Sequence, residues 1–287
     1  MITSAFGVLF DGFAYGMLLF LLSVGLSVTL GMMNFVNLAH CTFAMIGGYV
    51  TVTLMNSFGW PFLATLPLAF AVAAVTSVAF ERTMFHRLYR ASDLDQCLLT
   101  IGLVFVSVAA AAWIYGTVQQ PVNLPSYLRG SYTVAGVTFG VYRLFLIAMS
   151  LVVTLVLVLT LEYTRFGARV RAAVDNQRMA RGLGINVDGA FAVTFALGSG
   201  LAGLGGALAI DIVGLDPSFA LAYLVYVLIV VSVGGLGSIG GSFVAATLLG
   251  ISDMAGKYYF PQIGSFLIYL VMVGLLMWRP AGLFGRR

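Results

Sequence analysis

The chain has 287 residues, of which 61% are hydrophobic and only 8% charged, and its mean hydropathy is +1.05. A soluble domain is about half apolar and about a quarter charged, so this chain lacks the polar surface to meet water on all sides. Its formal charge of +4 comes from arginines gathered in a few short segments, and nucleic-acid binding is not needed to explain it.

Runs free of charge cover 12–80, 96–128, 144–161, 189–210, 217–252 and 258–278. A helix crosses about 30 Å of hydrocarbon with about 20 apolar residues and satisfies its own backbone there. The pattern predicts an all-α polytopic membrane protein with spans near 6–30, 40–56, 62–81, 96–116, 141–161, 190–212, 221–234, 242–256 and 264–279. The count falls to eight if 31–56 is a broken or re-entrant element. The whole of 1–287 reads as a single transmembrane domain.

The N-terminus "MITSAFGVLFDG" has no basic region and its apolar run is too long for a cleavable signal peptide. Next comes "LGMMNFVNLAHCTFAMIGGYV", residues 30–50, where Asn34, Asn37 and His40 are spaced to share one face if helical. Gly31, Gly47 and Gly48 bracket them. Cys41 and Cys97 stand far apart with no Cys/His cluster, so no disulfide or zinc site is indicated. Segment 82–95 carries Arg82, Arg87 and Arg90. The wet loop 117–140 holds Pro121, Pro125 and an alternating "YTVAGVTFGV", a small hairpin around Gly136 that is either a docking surface or a plain connection.

Segment 162–189 is the wettest stretch, with Arg165, Arg169, Arg171, Arg178 and Arg181. Across 168–183 the pattern predicts one helix. Val170, Ala173, Val174 and Ala180 lie on one side, and Arg171, Asp175 and Arg178 pair on the other. Gly182 and Gly184 supply a stop. A small-residue face of this kind suits a groove on a soluble partner, or the helix rests on anionic headgroups of the surrounding lipid.

Beyond it, "GLAGLGGALA" (Gly200, Gly203, Gly205, Gly206) reads as close helix packing. "VGGLGSIGGSFVAATLLG" is a second break, with Gly234, Gly235, Gly237, Gly240 and Gly241. Only 36 uncharged residues separate Asp216 from Asp253, which favours two shortened helices meeting at the glycines. Paired interrupted segments in two halves point to a translocation route, here bordered by Asn34, Asn37 and His40 with Gly234, Gly235, Gly237, Gly240 and Gly241 opposite.

The arginines of 82–95, 162–189 and the C-terminal tail (Arg279, Arg286, Arg287) fall on one side of the alternating layout. Arg129, Arg143 and Lys257 fall on the other. Positive charge marks the cytoplasmic side, which puts 117–140 outside and the C-terminus inside. Asp11, Asp211 and Asp253 read as lying near outer ends of spans, leaving no mid-membrane carboxylate for ion coupling. No catalytic motif or metal-ligand set is present. A secondary transporter or channel is therefore the reading of a different class, and it lacks a coupling site.

Four stretches together resemble the permeases of branched-chain amino acid ABC importers, the LivH-type subunit in particular. "GMMNFVNLAHCTFAMIGGY" is similar to that family's "GMINFAHGxxxMIGAY", and "TRFGARVRAAVDNQRMARGLGI" to "TRxGRAxRAxxxNxxxAxxLGI". "VGGLGSIGGSFVAATLLG" is similar to "LGGxGSxxGAxxGG", and "RPAGLFG" is a typical ending. The sister LivM-type carries an aspartate-leucine pattern where this chain has Asn34-Phe35. Cys41 and Thr42 depart from the family's glycine and its acidic or polar follower.

The resemblance implies a multi-pass subunit of the bacterial inner membrane. It implies a LivM-type permease partner, two cytoplasmic ATP-binding subunits and a periplasmic solute-binding protein. The chain would hold no cofactor of its own, ATP being bound by the partners. Residues 165–185 would hold the coupling helix, with Arg171, Ala172, Ala173, Asp175, Asn176, Arg178, Met179 and Ala180 toward the ATPase. Related permeases carry urea, short amides or aromatic carboxylates, so these solutes stand beside branched-chain amino acids.

Overall fold

The computed structural model describes residues 2–33, 35–88 and 91–285. Among them, seven helices are long and apolar enough to cross a bilayer, and two shorter apolar helices join them. Among the described residues the regular structure is helical apart from one hairpin.

Helix α1, Ile2–Met33, is apolar on every side and buried through most of its length, as expected of a rod at the centre of a bundle. After a non-helical stretch, α2 runs His40–Phe58 and stops at Gly59, whose φ of 65° supplies the left-handed cap. Helix α3, Phe62–Phe80, follows Pro61 and continues through a π-helical turn, Glu81–Phe85, into the single turn α4, His86–Leu88. Helix α5, Asp93–Tyr115, is N-capped by Ser92, whose Oγ accepts from the Asp95 amide.

The predicted hairpin forms as β1, Ser131–Val134, and β2, Val137–Gly140. Ala135 and Gly136 both take positive φ, 52° and 79°, the requirement of a type I′ turn. Helix α6, Val141–Tyr163, leads into α7, Arg165–Asp175, and α8, Gln177–Gly182. The second half comprises α9, Val187–Val213, α10, Phe219–Gly234, α11, Ile239–Tyr259, and α12, Gly264–Trp278.

The segments sort to two ends of the bundle. At one end Phe10 stacks edge-on against Phe139 and Asp11 accepts from Arg143. There too the Asn56 amide donates to the Pro121 carbonyl, so the start of α1, the end of α2 and the loop 117–140 share that end. At the other end Phe85 packs against Phe195 of α9, and Met33 packs against the small cluster of Ala173, Ala180, Val187 and Phe191. The Leu283 amide bonds the Val233 carbonyl, so α4, α7, α8 and the 279–285 tail gather there.

Helices α1 and α9 are the inner pair. Helix α1 packs on α11 and α10 as α9 packs on α3 and α2. The set α1, α2, α3, α5 and the set α9, α10, α11, α12 enter from opposite ends, the arrangement of an inverted repeat. Glycines let the inner rods touch each other and α2: a Cβ on Gly25 would overlap the Gly198 carbonyl oxygen. A Cβ on Gly206 would overlap the Ala44 carbonyl oxygen, and one on Gly47 would overlap that of Gly203. The close-packing role read for "GLAGLGGALA" is therefore the observed one.

Candidate functional site

The first interruption does not form one helical face. Residues 35–37 are not helical and 38–39 form a turn, so Asn37 and His40 are not stacked a turn apart, and Asn34 lies outside the described residues. The chain instead doubles back. His40 Nε2 sits 3.0 Å from the Leu22 carbonyl oxygen, and Leu22 precedes the end of α1 by about 16 Å of helix. The extended segment therefore climbs beside α1 to the middle of the bundle before α2 begins. A carbonyl only accepts, so Nε2 carries the proton and Nδ1 is left without a partner. Asn37 is buried with both side-chain polar atoms unpartnered.

Unwound backbone inside a bundle needs substitute partners, and α5 provides them. Gln96 Oε1 accepts from the Val36 amide at 3.0 Å, while Gln96 Nε2 donates to the Leu88 and Ala91 carbonyls. Thr100 Oγ1 accepts from the Leu38 amide at 3.2 Å. Higher up, Thr42 pairs with Ser107 and Thr53 with Tyr115, whose ring stacks on Tyr49 at 4.2 Å. Gln96, Thr100, Ser107 and Tyr115 thus form one polar stripe fastening α5 to the break and to α2. None of the four stands out as a site residue in the sequence. Their signal is a Gln–Thr pair four residues apart in an otherwise apolar run.

The glycine-rich break is a joint rather than a lining. Residues 235–238 turn α10 into α11, with Gly235 and Gly237 at φ of 95° and 77°. A Cβ on Gly31 would overlap the Gly237 Cα, and one on Gly241 would overlap the Gly234 oxygen. Gly235 meets the backbone of Phe284 and Gly285, and the Phe284 amide bonds the Gly234 carbonyl. Four of the five glycines expected to face a solute route are turned onto backbone, and Gly240 alone of that set has open space beside it. The counterpart of 35–39 in the inverted second half is 214–218. There Gly214 takes a φ of 77°, and the buried Leu215 accepts from the Gln120 amide through its carbonyl.

The wet segment also departs from expectation. It is two helices broken at Asn176, because Thr164 caps α7 and Asn176 caps α8 by accepting from the Met179 amide at 2.9 Å. Ala173 and Ala180 are buried in the chain's own small core with Val187 and Phe191, so neither is free to enter a partner's groove. Arg171 reaches back to the Leu161 and Glu162 carbonyls at the end of α6. Arg181 pairs with Asp188 at 2.9 Å. The Asp175 side chain lies outside the described set. The side facing outward carries Arg178, Met179 and Leu183, with Met179 68% and Leu183 80% exposed. Leu183 is an addition to the expected contacts. Its place after α8 follows from Gly184, whose φ of 80° ends the helix.

One carboxylate lies deeper than its place in the sequence predicts. Asp253 is fully buried and pairs with Lys257 inside α11, which runs on to Tyr259.

The chain is similar to known permeases along nearly its whole length. The protein named "Probable branched-chain amino acid transport permease protein LivH" in Methanocaldococcus jannaschii is 27% identical over 94% of this chain and 90% of its own length. BraD, the high-affinity branched-chain amino acid permease protein of Pseudomonas aeruginosa, is 26% identical over 97% and 95% respectively. LivH of Escherichia coli strain K12 is 25% identical over 97% and 94%. No solved structure matches. A family model described as branched-chain amino acid transport system, permease component, matches residues 8–276, and the chain belongs to that family as a multi-pass, LivH-type membrane permease.

Proposed function

We propose that the chain is the membrane-spanning permease subunit of an ATP-driven importer that moves branched-chain amino acids inward. The observation that carries this reading is the pair α7–α8. It forms a compact basic element directly joined to α6 and α9, with its own capped ends and an apolar tip, Met179 and Leu183, turned outward. A permease that hydrolyses nothing needs a rigid contact of this kind to receive work from ATPases. The reading places that contact, α4 and the C-terminus in the cytoplasm of a bacterial inner membrane, following the arginines. The loop 117–140 and the start of α1 then face outward toward a periplasmic binding protein.

The partners of this reading are a LivM-type permease, two cytoplasmic ATP-binding subunits that bind the ATP, and the binding protein. The coupling contacts are Arg171, Ala172, Asn176, Arg178, Met179 and Leu183. The unwound 35–39 segment, with the unpartnered amide of Asn37 and Nδ1 of His40, borders the solute route. The test is reconstitution of the four membrane and ATPase components in proteoliposomes with ATP inside and binding protein outside. Leucine uptake that requires ATP and both ATPases is expected. Uptake of leucine without ATPases, or of urea in its place, would overturn the assignment.

A further inference from the structure

Asp253 is an expensive residue for a membrane helix. It lies about 9 Å inside the end of α11 by helix rise, its side chain is 0% exposed, and Oδ1 has no partner. Oδ2 accepts from Lys257 Nζ at 2.6 Å. Buried ionisable groups at membrane depth mark sites where charge is used. The pair is lopsided, because the Lys257 side chain is 46% exposed while its partner is dry. A fixed anion is buried and its cation sits at the mouth.

Aromatic rings from three other helices complete the surroundings. Lys257 Nζ lies 5.6 Å from the centroid of Tyr15 on α1. The Tyr15, Tyr223 and Tyr226 phenols lie within electrostatic range of the Asp253 carboxylate. Tyr223 and Tyr226 of α10 are 5.8 Å apart, and Tyr226 is 6.3 Å from Tyr269 of α12. An i,i+4 ion pair that only steadied a helix end would need none of these. A buried carboxylate whose bound cation sits over a tyrosine ring is the chemistry that recognises an ammonium group.

We propose that Asp253, Tyr15, Tyr223 and Tyr226 form a binding site for the primary ammonium group of the transported amino acid, and that Lys257 occupies it between solutes. The proposal rests on the amino-acid importer reading. Exchanging one ammonium for another keeps a cation against the buried carboxylate, so it is not left bare during the exchange. The four-carbon stem of Lys257, half in water, allows its head to swing away. An incoming ammonium has three donors, one for each carboxylate oxygen and one for a phenol oxygen.

The test uses the complete importer in proteoliposomes at saturating leucine-loaded binding protein, with variants Asp253→Asn, Lys257→Met and the double variant. Asp253→Asn is expected to slow uptake about tenfold or more, the scale of one charge-assisted hydrogen bond, with partner co-purification unchanged. Lys257→Met leaves the carboxylate bare between solutes. It is expected to slow uptake less than Asp253→Asn does, because the solute's own ammonium refills the site. The double variant is expected to be as slow as Asp253→Asn alone. A structural ion pair gives the opposite pattern: both single variants fail and the double recovers. That pattern, or normal uptake in Asp253→Asn, overturns the site. Wild-type protein that takes up no amino acid overturns the importer reading instead. Calorimetric titration of isopentylammonium into the purified full chain then decides the site by itself. Binding that is lost in Asp253→Asn supports the site, and no binding to wild type sinks it.

Discussion

Gln96 ties the break to the link between α4 and α5. Its amide joins three separate stretches, accepting from Val36 and donating to Leu88 and Ala91. Replacing it with leucine leaves a buried backbone amide unpaired, which costs about 1–3 kcal/mol. Gln96→Leu is therefore expected to lower the melting temperature of the purified protein and to slow transport. Gln96→Glu, which keeps the acceptor for Val36, should fall between the two. Equal stability in Gln96→Leu and wild type would show that water or another donor serves the segment. Gly206 gives a second test at this scale. Its Cβ would overlap the Ala44 oxygen, so Gly206→Val forces α9 from α2 and should cost at least the roughly 1–3 kcal/mol usual for overpacking. The polar residues of the break were legible because asparagine and histidine stand out in an apolar run. Their partners were not, because Thr100 and Ser107 are common in membrane helices and only the fold brings them to 36–42.

At the scale of elements, the apolar runs gave away all nine rods within a few residues, because a bilayer leaves little choice of length. The α7–α8 break was hidden by its charges: arginines and an aspartate at helical spacing suggested one continuous helix, while the deciding feature was Asn176 acting as a cap. The consequence is a clean separation of two kinds of variant. Ala173→Gln inserts a long polar side chain into the core of Val187 and Phe191 and is expected to destabilise the protein by a few kcal/mol. Leu183→Glu and Met179→Glu alter exposed side chains and should change stability by only about 0.5 kcal/mol. Both are nevertheless expected to lose ATPase co-purification and binding-protein-stimulated hydrolysis. If the two surface variants retain both while Ala173→Gln alone fails, the exposed face of α8 is not the coupling contact.

At the scale of the whole molecule, the two halves enter from opposite ends because one rod, α6, stands between them and makes the number of crossings odd. An odd count puts the start of α1 and the 279–285 tail on opposite sides of the membrane. The ends differ in charge as well. One gathers Arg82, Arg87, Arg165, Arg169, Arg171, Arg178, Arg181 and Arg279, while the other has Arg129, Arg143 and Lys257. Arg143 and Lys257 are paired with Asp11 and Asp253, as Arg181 is with Asp188 at the basic end, and the asymmetry rests on the count of arginines and lysines. The sign of the charge decides which end is retained in the cytoplasm, and the geometry then fixes every loop at once. In a background lacking Cys41 and Cys97, single cysteines at Thr3 and Ser131 should react with an impermeant thiol reagent added to intact spheroplasts. Cysteines at Asn176 and Gly182 should react only after the membrane is opened. Labelling of Ser131 and Asn176 from the same side would break the alternation itself, since no arrangement of α6 as a single crossing permits it. Labelling of Asn176 alone would invert the molecule and leave its packing intact, and the ATPase contact would then have to be sought on the hairpin end.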